Sequence, residues 1–138
     1  MAPAKADDSW PQRQVTTIVP FAAGGTTDLF GRMLASHMQA KYGKPFVVEN
    51  RAGAAGNLGT TAAARAPADG YTILIGTTGP FGINPTLYTK LPHDTVKDFQ
   101  PIVEIARGSL ALAVHKSVDI ADAKALIAAA KAKPDDMT

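Results

Sequence analysis

No cysteine occurs in these 138 residues, which removes disulfides, thiolate nucleophiles and thiolate-held metals at once. A dominant charge is missing too. Fourteen basic residues oppose twelve acidic ones, for a net charge of +2 with no basic run, so neither nucleic acid nor a membrane surface is the expected partner. No apolar run approaches the ~18 residues that a membrane-spanning helix needs. His93 and His115 stand alone, without ligand-like spacing to carboxylates, and His37 falls on a helical apolar face. No metal and no cofactor are therefore expected. Ser36, Ser109 and Ser117 lack a nucleophile elbow, so catalytic residues are not expected and the chain does not read as an enzyme.

What is present is a βα alternation. "VTTIV" (15–19) is a β-branched run closed by Pro20 and predicts a buried strand. Leu29, Phe30, Met33, Leu34, His37 and Met38 recur at helical spacing. Thr26 or Thr27 is expected to cap that helix, Asp28 to sit in its first turn paired with Arg32, and Gly43 to follow its end. "PFVVEN" (45–50) predicts a second strand, leading into the Gly-rich turn and Ala-rich helix of 51–66. Residues 70–80 predict a third strand and loop, and 83–99 a mostly irregular stretch with a turn of helix near Thr95–Phe99. Further strands are expected at Ile102–Ile105 and Leu110–Val114, and a last helix at Ala121–Ala132. Strands alternating with helices predict an α/β fold with a mostly parallel sheet flanked by helices.

In such a sheet, ligands lie beyond the carboxyl ends of the strands. Three loops leave those ends, 20–28, 51–57 and 76–82, each rich in Gly together with Ala or Thr. Glycine lets the backbone approach a ligand, and a helix amino terminus presents unpaired N–H groups to an anion. Removing a carboxylate from water costs several kcal/mol. One helix terminus returns about 0.3–1 kcal/mol, and each hydrogen bond to a charged group about 1.5–3 kcal/mol. One loop is too little, and 20–28 with 76–82 is the expected pair. Phosphate motifs fit poorly: no Gly-Lys-Ser/Thr is present, and Gly53–Gly59 lacks the acidic residue on a following strand that a dinucleotide loop needs. A nucleotide- or cofactor-binding enzyme domain using 51–59 stays as the alternative. A fragment that binds nothing and pairs its exposed surface in a dimer is a third reading.

The motifs P-F-x-x-G-G-x-x-D (20–28), V-E-N-R-x-G-x-x-G-N-x-G (48–59), D-G-Y-T (69–72) and I-N-P-x-L-Y (83–88) resemble those of the solute-binding proteins of tripartite tricarboxylate transporters, the Bug proteins. The likeness runs from about residue 11 to 133. It implies a type II periplasmic binding protein-like lobe, a periplasmic location and delivery of a captured acid to membrane permease subunits. The acid would be a di- or tricarboxylate, an aromatic acid or an acidic amino acid. Carried over, the ligand-binding residues are Phe21, Ala23, Gly24, Gly25, Thr26, Thr27, Asp28, Thr77, Thr78, Gly79 and Phe81, with Asn57 as a helix cap and water-bridge partner. Asp28 could accept the amino group of an amino-acid ligand, but its first-turn place beside Arg32 is the expected role. Arg51 is expected to pair with Glu49. Family members continue through a second lobe, so the expected organisation is a flexible tail (1–12), a first lobe (13–106) and the truncated start of a second (107–138). No hydrophobic leader is present, although Ala4-Lys5-Ala6 has the small-x-small pattern that precedes a signal-peptidase cut. A single side of the cleft is expected to bind an acid orders of magnitude more weakly than a complete one.

Overall fold

Val15–Val19 forms the central strand, β1, of a three-stranded parallel sheet. Its β-branched run suits a strand covered on both sides, and Val15, Thr17, Ile18 and Val19 are all buried. The computed structural model describes residues 10–109 and 111–132. Strand β2 (Phe46–Asn50) pairs with one edge of β1, and strand β3 (Thr72–Leu74) with the other. The order is therefore β2-β1-β3.

Helix α1 (Thr26–Tyr42) carries the chain from β1 to β2, and helix α2 (Asn57–Ala64) carries it back past β1 towards β3. Because the direction of travel reverses, right-handed crossovers put the two helices on opposite faces of the sheet. The contacts agree: Ala35 and Met38 of α1 pack with Val15 and Phe46, whereas α2 lies on β1 and β3. Burying Val15, Ile18 and Val19 is worth about 1.5–3 kcal/mol each relative to exposure.

The inward face of α1 matches the expected one only in part: Phe30, Leu34 and Met38 are half-buried. Asp28, Gly31 and Ala35 are buried, while Leu29, Met33 and His37 are exposed. Close packing explains this. A Cβ on Gly31 would lie 2.7 Å from Val19 Cγ2 and 3.5 Å from Ile75 Cγ1, so α1 approaches the sheet through its smallest residues. Neither Thr26 nor Thr27 caps the helix, since the N-cap is Gly25 and no side chain bonds the first turn. Gly43 does end it, at φ 66° with its N–H on Gln39 O at 2.9 Å, the left-handed geometry that favours glycine. Asn57 is likewise not a cap: Gly56 holds that position, at φ 88°.

Beyond β3, Gly79–Ile83 forms a π-type turn that runs into helix α3 (Asn84–Leu87), where an irregular stretch is expected. Pro80 and Pro85 stand in the first turns of these segments, where the missing N–H costs nothing. The turn of helix expected near Thr95–Phe99 is a single turn, closed by Asp98 N–H on Asp94 O at 3.0 Å. At the amino end of the sheet, Trp10 packs against Tyr42 and Phe46 at centroid distances of 5.4 and 6.1 Å.

Two compact units divide the chain, one up to Ile105 and one from Ala106. The second contains helix α4 (Ala123–Ala132), whose first turn bonds Asp122 through Ala125 N–H at 2.8 Å. The strands expected at Ile102–Ile105 and Leu110–Val114 are not formed: 102–105 and 111–114 are irregular, and Leu110 lies outside the described residues. Both segments are exposed and pair with no other strand among the described residues. An apolar pattern without a partner does not make a ladder.

Candidate functional site

The carboxyl end of β1 is held on both sides. Arg51 N–H donates to Val19 O at 2.8 Å, and Ile75 N–H to Ile18 O at 3.0 Å. The three exit loops therefore leave one edge of the sheet together. Between β1 and β3 the chain path reverses direction, which is the switch point where open α/β sheets bind ligands.

The β1 exit contains Phe21, Ala23, Gly24, Gly25, Thr26 and Thr27, exposed from Ala22 to Thr26. Gly24 lies at φ 88° and donates its N–H to Asp28 Oδ2 at 2.8 Å. Leu29 N–H closes the first helical turn on Gly25 O at 3.0 Å. The N–H groups of Thr26 and Thr27 thus have no intrahelical acceptor, and no side chain caps them.

Asp28 is a support for this loop. Its carboxylate accepts from Arg32 Nε at 2.9 Å, from Gly24 N–H, and from Asn50 Nδ2 at 2.9 Å. The same Asn50 amide reaches Phe21 O at 3.1 Å, tying the β1 exit to the last residue of β2. The Arg32 hydrogen bond, then those from Gly24 and Asn50, lower the carboxyl from 3.8 to about 2. The expected Asp28–Arg32 pair is present, and it sets a guanidinium beside the one carboxylate at the loop. That cation offsets the negative charge that Asp28 brings to the loop.

The β3 exit contains Thr77, Thr78, Gly79 and Phe81. Phe81 N–H donates to Thr77 O at 3.3 Å, making a second helical start with no side-chain cap. Thr77 Oγ1 is buried without a hydrogen-bond partner among the described residues. The Phe81 ring stacks edge-on with Phe99 at 5.1 Å and covers Gly76, where a Cβ would lie 3.0 Å from its Cε2.

The β2 exit joins these two. A Cβ on Gly56 would lie 2.7 Å from Pro80 Cγ and 3.1 Å from Phe21 Cζ, so all three loops meet there. Asn57 is buried, and its Oδ1 accepts from Asn84 Nδ2 at 2.8 Å, with Ala55 O bonded by the same amide at 3.1 Å. The 51–59 loop spends its own amides internally, with Gly56 and Leu58 N–H both on Gly53 O. Those two amides are then not available to a phosphate. Arg51 pairs with Glu49 at 2.8 Å, as expected.

Sequence reasoning missed Asn50, Asn84 and Pro80. Their signal was present: each is a polar or rigid residue just past an apolar run, where an exit loop needs internal partners. Two concavities of about 520 and 490 Å³ lie off the 20–28 and 76–82 loops, one lined by Tyr88, His93 and Asp94, the other by Arg51, Leu58 and Arg65. No group of three or more His, Cys, Asp or Glu among the described residues is placed to hold a metal ion.

Known proteins resemble this chain in sequence and in fold. The family profile described as "Tripartite tricarboxylate transporter family receptor" matches residues 30–138. Protein BugT of Bordetella pertussis is 38% identical over 137 residues, 99% of this chain and 42% of BugT. The solved structure of R. palustris Rpa4515 with adipate is 42% identical with a TM-score of 0.83, over 90% of this chain and 42% of that one. MatC from Rhodopseudomonas palustris, with bound malate, is 41% identical with a TM-score of 0.63, over 67% and 31% of the two chains. This chain thus spans about two-fifths of the length of BugT. The fold is the α/β fold of periplasmic binding proteins, and the family is one of solute receptors rather than enzymes. With its three glycine-rich exits at one sheet edge, the chain belongs to the receptor family of tripartite tricarboxylate transporters.

Proposed function

We propose that this chain supplies one wall of a periplasmic receptor cleft that captures a small dicarboxylate for the permease subunits of a tripartite tricarboxylate transporter. The observation that carries the reading is the adjacency of β1 and β3, whose exits both run straight into uncapped helix starts. One carboxylate of the ligand accepts from the N–H groups of Gly25, Thr26 and Thr27. The Thr77–Gly79 amides and the Thr78 hydroxyl take the same group or a bridging water. Phe21 and Phe81 flank it, Ala23 lines the approach, and Gly24, Asp28 and Asn57 hold the loops in place.

Two starts together offer several charge-assisted hydrogen bonds at about 1.5–3 kcal/mol each, enough to offset the several kcal/mol of carboxylate desolvation. The adipate and malate of the R. palustris relatives support a dicarboxylate. The unit from Ala106 onward is read as the opening of the second lobe, which would bring the opposite wall and the selectivity. Without that wall the affinity is low.

Amide NMR titration with malate and adipate tests this at millimolar ligand. Shifts concentrated at Gly25–Thr27 and Thr77–Gly79 support the site. Shifts confined to 51–59, or produced by NAD or ATP instead, overturn it.

A further inference from the structure

The segment after α3 carries a histidine that the proposed capture of an acid does not use. His93 is only 8% exposed. Its Nδ1 lies 2.9 Å from Thr61 Oγ1 on α2, and its Nε2 is buried with no hydrogen-bond partner among the described residues. The ring stands edge-on to Phe99 at 6.3 Å, and Phe99 stands edge-on to Phe81 at 5.1 Å. Phe81 is the residue whose N–H closes the turn on Thr77 O and whose ring covers Gly76. An unbroken line of contacts therefore joins α2 to the β3 exit.

We propose that His93 is a positioning residue for the β3 exit loop: bonded to Thr61 and packed on Phe99, the neutral imidazole fixes the Phe99–Phe81 pair and with it the Thr77–Gly79 backbone. This rests on the reading of that loop as part of an acid-binding wall.

The chemistry of the imidazole makes the arrangement conditional on its charge. In the neutral ring one nitrogen donates and the other accepts, so pairing Nδ1 with Thr61 leaves a single uncharged nitrogen unpaired, a smaller cost than leaving a charged donor unpaired. An imidazolium must donate from both nitrogens, and Nε2 has no acceptor here. Burial accordingly pushes the group below its ordinary value, with Asp98 acting in the opposite direction. The charged and titratable groups around it are few. Asp98 and Asp94 belong to its own segment, with the Asp94 carboxylate occupied by Lys97 and by the amides of Val96 and Lys97. Tyr88 shares its cavity, and Arg65, just past the end of α2, lines the neighbouring one with Thr61. None of them bonds Nε2. Protonation therefore drives the ring from its seat, and Phe99 and Phe81 lose their backing.

Residue-resolved NMR of the chain between pH 8 and 5, first without ligand, tests the proposal. The amides of Thr77, Thr78, Gly79 and Phe81 are expected to follow one curve, sharing the His93 midpoint below about 6.5. His93→Asn, which keeps a polar group near the Nδ1 position, abolishes that curve while preserving the spectrum at neutral pH. With malate added, the wild-type affinity falls more steeply between pH 8 and pH 5 than that of His93→Asn, by up to about fivefold, the loss of roughly one hydrogen bond; the variant corrects for ionisation of the ligand itself. Should His93 titrate while residues 77–81 stay still, or the curve persist in His93→Asn, the proposal is overturned. If the variant does not fold, the wild-type curve alone decides. An absence of malate and adipate shifts at every pH would sink the acid-binding reading, yet leave the ligand-free curve to judge His93.

Discussion

Gly59 gives the sharpest test of how the exit loops are held. It lies inside α2, where alanine is ordinarily better than glycine by about 1 kcal/mol. Propensity alone therefore predicts that Gly59→Ala stabilises. Packing predicts the reverse. The new Cβ would lie 2.7 Å from Arg51 O, 2.7 Å from Pro20 Cα and 2.8 Å from Pro20 Cβ, whereas comfortable carbon contacts begin near 3.5 Å. These obstacles are main chain or proline ring, and the Arg51 N–H bond to Val19 O anchors them to the sheet. Overpacking costs about 1–3 kcal/mol, and three contacts below 3.0 Å against main chain and a proline ring place this site in the upper part of that range, at about 2–3 kcal/mol, so the net change is a loss of roughly 1–2 kcal/mol after the helix gain. For a unit of this size that lowers Tm by about 5–15 °C. Gly82 is the control. It is exposed and helical, and its added Cβ would meet only Thr78 Cγ2 at 3.5 Å, so Gly82→Ala leaves Tm unchanged or raises it. Circular dichroism melts of both variants, backed by urea unfolding, read the two signs. A Gly59→Ala protein as stable as the wild type would refute the tight seating of α2 on the β1 and β2 exits.

Asp28→Asn tests the loop support through acid. A carboxyl lowered from 3.8 to about 2 by folding contributes stability that is complete above about pH 4 and disappears as pH falls through about 2; acid unfolding of the variant should lack that component, and an unchanged acid profile would contradict it. Asn84→Ala strands the buried Asn57 side chain and Ala55 O, which should cost about 1–3 kcal/mol in urea unfolding; a change below 0.5 would count against the knot. Arg51→Ala removes an ion pair whose side chains are 47% and 43% exposed, and should shift stability by no more than about 0.5 kcal/mol; a larger loss would mean Arg51 supports the loop in another way.

The sheet was legible because β1 to β3 are local signals: "VTTIV" and "FVVEN" are β-branched runs with punctuation at their ends. The exit loops were legible because Gly24, Gly53 and Gly56 adopt positive φ, which few other residues tolerate. Hydrophobic spacing misjudged part of α1 because it rewards large residues, while the inward face there is set by the room beside Val19, which only Gly31 fits. Strand pattern misjudged 102–105 and 111–114 because pairing is not a local property. The ties that give the site its shape, Asn50 to Phe21 and Asn84 to Ala55, each span 29 residues. No window as short as a helix or a strand contains both partners.

The aromatic cluster at the far end of the sheet has a practical corollary. Trp10 is the sole tryptophan, wedged among Tyr42, Phe46 and Tyr71, which come from the end of α1, the start of β2 and the approach to β3. Its fluorescence is a built-in gauge of whether those three chain regions remain assembled. Being at the opposite pole from the glycine loops, that indole should stay dark to ligand and bright to unfolding.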